Sequence, residues 1–120
     1  MKISSAESVV MEALWREAPR SAEEITAEVA PPQGWTLATV KTLINRLLKK
    51  HAIGATPEGR RYLYRPLVAR EAYLQAESQG LLNRLFDGRL APMVSHLSAA
   101  KALTAEDIAD LKRLIAEIEE

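Results

Sequence analysis

Between residues 36 and 50 the apolar side chains Val40, Leu43, Ile44, Leu47 and Leu48 recur at intervals of three and four. That period places them on one stripe of a helix and turns Ala38, Thr39, Lys41, Thr42, Asn45, Arg46 and Lys49 to the opposite side. Thr36 stands where an N-cap belongs, so a helix is expected over residues 37–50. One helix cannot bury its own stripe, and the surrounding segments must build a core around it.

They have the means. Ser4 with Glu7 and Ser21 with Glu24 are two Ser-x-x-Glu pairs, the sequence form of a capping box. The first pair leads into Ala6, Val9, Val10, Ala13 and Leu14 at helical spacing, and the second into Ile25 and Val29, one turn apart. The first helix is expected over residues 5–17, ended by Ala18-Pro19, and the second is expected to close at Pro31-Pro32, because the residue before a proline is driven from the helical region. After His51 the pattern turns extended: Ile53 and Ala55, a turn at Thr56-Pro57-Glu58-Gly59, then Tyr62-Leu63-Tyr64-Arg65 in alternation up to Pro66. Helix, helix, turn, helix and hairpin is the order of a winged helix-turn-helix.

From about Val68 helical spacing returns. Leu74, Ser78, Leu81 and Leu85 form an a/d-like series that Asp87-Gly88 interrupts, a short helix is expected over residues 92–97, and Thr104 with Asp107 opens a last helix bearing Ile108, Leu111, Ile115 and Ile118. Glu117, Glu119 and Glu120 oppose the dipole of that helix and predict a frayed end. The fold class is therefore mainly α: a winged helix-turn-helix of three helices plus a β-hairpin wing over residues 1–68, then a three-helix dimerisation region over residues 69–120. Leu74, Leu81, Leu85, Ile108, Leu111, Ile115 and Ile118 make more apolar stripe than so small a half-domain can cover, which predicts a homodimer.

Composition sharpens the reading through charge. The chain is neutral overall, but residues 1–70 hold eleven Lys or Arg against seven Asp or Glu, and residues 71–120 hold five against nine. Within residues 36–65 the basic residues are Lys41, Arg46, Lys49, Lys50, Arg60, Arg61 and Arg65, against Glu58 alone. Such a patch suits phosphate. Thr39, Lys41 and Thr42, with small Ala38 and the amide of Asn45, suit base edges in a major groove, and Arg46 suits its wall. Arg60 and Arg61 at the hairpin tip suit a neighbouring phosphate or the minor groove, and Lys49 and Lys50 add unspecific attraction. Double-stranded DNA is the expected partner. A polar face opposite an apolar stripe is also what any surface helix shows, and a winged helix that only docks proteins is the alternative, against which the basic cluster weighs.

Other chemistry finds little footing. With no cysteine and only His51 and His96, no metal or other cofactor is expected. Ser95-His96 is the nearest approach to a catalytic pair, but adjacent helical residues point apart, so no enzyme is expected. His51 reads as a cation at a helix C-terminus. Trp15 reads as core, Trp35 as a staple or packing platform, and Tyr62 and Tyr64 as one face of the wing. No apolar run nears the roughly 20 residues of a membrane span, and no apolar stretch follows Lys2, so the expected location is the cytoplasm.

The chain resembles the BlaI/MecI/CopY penicillinase-repressor family. The similar pieces are Ile3-Ser4-Ser5-Ala6-Glu7 with Val10-Met11 and Leu14-Trp15, then Trp35-Thr36 leading into Thr39-Val40-Lys41-Thr42-Leu43-Ile44-Asn45-Arg46-Leu47, and the hairpin Tyr62-Leu63-Tyr64-Arg65-Pro66-Leu67. The resemblance implies a transcriptional repressor: a homodimer joined through its C-terminal helices on a palindromic operator. It also implies, for the penicillinase branch, a membrane-sensor protease as partner and cleavage between an Asn and a Phe. His96 and Leu97 stand at that position, so the expected pair is replaced. The copper-responsive branch binds metal through C-terminal cysteines, which this sequence lacks.

Overall fold

The computed structural model describes residues 2–119. Six helices and one hairpin follow in the order α1 (Ser5–Arg16), α2 (Ala22–Gln33), α3 (Leu37–Lys49), β1 (Ile53–Glu58), β2 (Arg61–Pro66), α4 (Arg70–Phe86), α5 (Leu90–Ala99) and α6 (Ala105–Glu119). The chain divides into two compact units between Tyr73 and Leu74. That division falls within the first turn of α4, beyond the 68/69 boundary read from charge. Three contacts explain why the first unit keeps this turn: Trp15 Nε1 donates to the Val68 carbonyl at 2.9 Å, Arg70 Nε meets the Glu12 carboxylate at 3.1 Å, and the rings of Trp15 and Tyr73 lie 5.3 Å apart. Trp15 is thus half-buried at the edge of the core, where its indole N–H finds an acceptor.

In the first unit, capping sets the helix starts. Both Ser-x-x-Glu pairs form complete capping boxes, with Ser4 N–H donating to Glu7 Oε1 at 2.8 Å and Ser21 N–H to Glu24 Oε1 at 2.9 Å. Thr36 caps α3 by accepting from Thr39 N–H at 3.3 Å. Val10, Met11 and Leu14 of α1, Ile25 and Val29 of α2, Val40, Leu43, Ile44 and Leu47 of α3, and Ile53 of β1 form one buried cluster. Truncating a fully buried member such as Leu47 to alanine removes about 2–5 kcal/mol.

Several local expectations need correction. Pro31-Pro32 does not close α2, which runs through both prolines to Gln33. Gly34, at φ 70°, closes it instead, with Trp35 N–H donating to the Ala30 carbonyl at 3.1 Å and Gly34 N–H to that of Pro31 at 3.4 Å. That is a Schellman closure, and it ends the helix within two residues of the prolines, whose missing N–H groups leave the Ala27 and Glu28 carbonyls without their i+4 donors. His51 ends α3 in the same way through its backbone, at φ 61°, with Ala52 N–H donating to the Leu47 carbonyl at 3.0 Å. Its imidazole is not needed for that ending.

The hairpin turn also lies later than expected. β1 continues through Thr56, Pro57 and Glu58, and the turn is Gly59-Arg60, with Gly59 at φ 61°. Positive φ at the first central position alone is the sign pattern of a type II′ turn. Glu58 pairs with Arg61 and Pro57 with Tyr62, so Pro57 falls at a non-hydrogen-bonded position of an edge strand and its missing N–H is no loss. A further pairing was not foreseen: Arg20 N–H donates to the Tyr64 carbonyl at 3.1 Å and Tyr64 N–H to that of Arg20 at 2.8 Å. This bridge ties the wing to the α1–α2 connection.

α4 begins at Arg70, within the first unit, rather than near Val68, and in the second unit α5 extends to both sides of the expected 92–97. Asp87 and Gly88, both at positive φ, separate α4 from α5. Thr104 and Asp107 cap α6 reciprocally, with Asp107 N–H donating to Thr104 Oγ1 at 3.0 Å. α6 stays helical to Glu119, and Glu120, part of the expected frayed end, lies outside the described residues.

Candidate nucleic-acid interface

Core packing of Val40, Leu43, Ile44 and Leu47 fixes the rotation of α3, and everything opposite follows from it. Ala38, Thr39, Lys41, Thr42, Asn45, Arg46 and Lys49 are all exposed. The hydroxyls are partly committed. Thr42 Oγ1 donates to the Ala38 carbonyl at 3.0 Å, which leaves its oxygen lone pair and its methyl group outward. Thr39 Oγ1 lies 3.2 Å from Thr36 Oγ1. An outward acceptor beside a methyl group suits an amino group of adenine or cytosine, or a thymine methyl.

The seven basic residues of the 36–65 patch separate into two groups. Among the described residues the side chains of Lys41, Arg46, Lys49 and Arg60 make no ion pair or hydrogen bond. The other three are engaged. Arg61 meets Glu58 at 3.1 Å and Glu24 at 3.8 Å, and Glu58 raises its pKa above the ordinary value. Arg65 donates to Thr56 Oγ1 at 2.7 Å across the hairpin. Lys50 corrects its expected role as a phosphate attractor: its Nζ lies 2.6 Å from Glu7 Oε1 and 2.7 Å from the Lys2 carbonyl oxygen. It neutralises a carboxylate that is only 1% exposed.

Among the described residues that carboxylate and the Arg20 guanidinium are the buried charged groups. Burial pushes Glu7 upward, but the hydrogen bonds from Lys50 and Ser4 and the charge of Lys50 together hold it below its ordinary value. Its Oε2 is buried without a partner among the described residues. Arg20, 6% exposed, donates to the carbonyl oxygens of Ala13 and Glu17 and to Glu28 Oε1, so one side chain closes the end of α1 and pairs with α2. Glu28 is held below its ordinary value by its hydrogen bonds from Arg16 and then Arg20.

α3 and the wing meet at a shallow depression of about 150 Å³, lined by Lys41 from α3, by Arg60, Arg61, Tyr62 and Tyr64 from the hairpin, and by Ala22 and Glu23 from α2. Burial raises the pKa of the Tyr64 phenol, with Glu23 adding to the effect. Lys41 and the two hairpin-tip arginines are thus brought together, as the linear order alone did not reveal.

The sequence model of the penicillinase repressor family matches residues 3–117. This chain belongs to the penicillinase repressor family. The penicillinase repressor of Bacillus licheniformis is 31% identical over 116 residues, which is 97% of this chain and 91% of that one. The solution structure of the DNA-binding domain of the repressor BlaI covers 60% of this chain and 88% of its own, with 32% identity and a TM-score of 0.55. The B. licheniformis BlaI monomer, solved in complex with the blaP half-operator, covers 61% of this chain and 89% of its own, with 32% identity and a TM-score of 0.54.

The second unit of this family member leaves many of its large apolar residues exposed. No residue of α4, α5 or α6 is buried. Leu74, Leu81, Leu85, Ile108, Ile115 and Ile118 are exposed, the last at 82%, and Leu111 is half-buried. α5 and α6 enclose an apolar groove of about 830 Å³ that contains four of the expected dimerisation residues, Ile108, Leu111, Ile115 and Ile118, together with Leu90 and Val94. The contribution of α5 was missed because its apolar run has no heptad spacing. His96 and Leu97 lie inside α5, with the His96 ring 6.4 Å from that of Phe86. No helix among the described residues is long and apolar enough to cross a membrane.

Proposed function

We propose that this chain is a cytoplasmic transcriptional repressor that binds a palindromic DNA operator as a homodimer, with α3 in the major groove. The observation that carries the reading is the outward face of α3, where three unpaired cations stand around Ala38, Thr42 and Asn45 on a helix whose rotation the core has fixed. The BlaI half-operator complex, a relative in sequence and in fold, supports the same use of the first unit. Lys41, Arg46, Lys49 and Arg60, free of carboxylate partners among the described residues, weigh against a winged helix that docks only proteins.

A second copy of the chain supplies what the second unit lacks. With nothing buried and a wide apolar groove, α4 to α6 have no core of their own, and a self-complementary two-fold contact covers the exposed leucines and isoleucines. For the penicillinase branch the resemblance implies release by a membrane-sensor protease. The bond between His96 and Leu97 lies within α5, so cleavage there requires local unwinding.

The test is a gel-shift titration with genomic fragments at two salt concentrations. Preferential retention of particular fragments, weakening steeply with salt, is expected. Equal binding to all fragments, or a flat salt response, overturns the reading.

A further inference from the structure

The outward face of α3 is not uniform. At about 100° per residue, Ala38, Thr42 and Asn45 lie at the centre of the face, while Lys41 and Arg46 stand on opposite flanks about 140° apart. Lys41 is the flank residue that the wing meets, in the depression it shares with Arg60. Sequence reasoning grouped Lys41 with Thr39 and Thr42 as a reader of bases. Its surroundings suit a different ligand.

We infer that Lys41 and Arg60 form a seat for one backbone phosphate of duplex DNA, so that Lys41 positions the helix in the groove and does not read sequence. This rests on the DNA-binding reading given above. Two cations without partners among the described residues, one from the helix and one from the hairpin turn, line one small polar depression. Arg61 lines the same depression but is held by Glu58 and Glu24, which leaves the flanking pair to meet the ligand. Among the described residues Glu23 is the only carboxylate lining the depression. Two positive charges against one negative suit a singly charged phosphodiester, and Glu23 weakens the seat without abolishing it. The central residues Ala38, Thr42 and Asn45 are then the ones directed at base edges.

The full-length protein is used to enrich a duplex from random-sequence DNA. Anisotropy titrations then compare that duplex, its single-base variants and a scrambled duplex, between about 50 and 200 mM salt. Lys41→Ala and Arg60→Ala are each expected to weaken binding to every duplex alike, by about fivefold at physiological salt, and to lower the salt slope by about 0.9 per bound winged helix. Glu23→Gln is expected to strengthen binding to all duplexes alike. A Lys41→Ala protein with altered preference at one base pair, or with unchanged affinity and slope, overturns the seat while leaving DNA reading intact. A wild-type protein that enriches no duplex overturns both.

Discussion

Lys50 Nζ lies 2.6 Å from Glu7 Oε1, so the last cation of the α3 segment is paired with a buried carboxylate, unlike Lys41, Arg46 and Lys49 on the proposed DNA face. The pair joins the start of α1 to the end of α3, and it involves the same carboxylate oxygen that closes the capping box with Ser4. Lys50→Met removes the counter-charge of a buried carboxylate. A loss of about 2–3 kcal/mol is expected, below the ~3–5 kcal/mol of a fully buried pair because the lysine side chain is partly solvated. Urea unfolding measures the loss, and the salt slope of DNA binding should stay at its wild-type value. A stable variant with a reduced slope contradicts the assignment.

Stability should fall in acid for a nameable reason. Glu7 and Glu28 titrate below their ordinary value of 4.5 in the folded chain, so the unfolded chain binds protons first as pH drops. Their contribution is complete above that value and is lost as pH falls through the folded pKa values. Urea midpoints measured from neutral pH downward should therefore hold and then decline below about pH 4.5. Glu7→Gln should lower the neutral midpoint and flatten the decline, and an unchanged decline removes Glu7 from this role.

Arg20 closes α1 and pairs with Glu28, and its backbone carries the bridge to Tyr64. Arg20→Met keeps the bulk and the bridge but leaves the Glu17 carbonyl without its side-chain donor and the Ala13 carbonyl with the Glu17 N–H alone. A loss of about 2 kcal/mol is expected in urea unfolding. A change below about 0.5 kcal/mol, the ordinary range of surface substitutions, shows that water replaces the guanidinium freely.

The legible parts of this fold are those built from local sequence separations. Ser4 with Glu7, Ser21 with Glu24 and Thr104 with Asp107 act three residues apart, and the stripe Val40, Leu43, Ile44 and Leu47 repeats at the helical period, so caps and core faces follow from spacing alone. Prolines misled where context excused them: Pro31 and Pro32 in a last turn, Pro57 at an edge position that needs no N–H. Contacts such as Lys50 with Glu7, Arg20 with Tyr64 and Trp15 with Val68 join distant segments and leave no periodic trace. The same limit applied to the candidate interface. Its face was readable from the stripe, but the division of its cations into paired and unpaired ones required the tertiary partners.

Ile115 lines the apolar groove between α5 and α6 and is exposed in the single chain. Ile115→Glu places a charge where the second copy is proposed to pack. Analytical ultracentrifugation should show a dimer for the wild type and a shift toward monomer for the variant, with the first unit still folded. A wild type that remains monomeric at all accessible concentrations contradicts the proposed assembly.

The most direct measurement is hydroxyl-radical and guanine-methylation footprinting of the protein on its enriched duplex. Two symmetric half-sites are expected, with major-groove protection centred about one helical turn, roughly 10 base pairs, apart or a multiple of it. Arg46→Ala should lose about 1–3 kcal/mol of affinity for that duplex while the winged helix stays folded. A single unsymmetric protected patch, or protection spread evenly along the duplex, contradicts a homodimer reading DNA through α3.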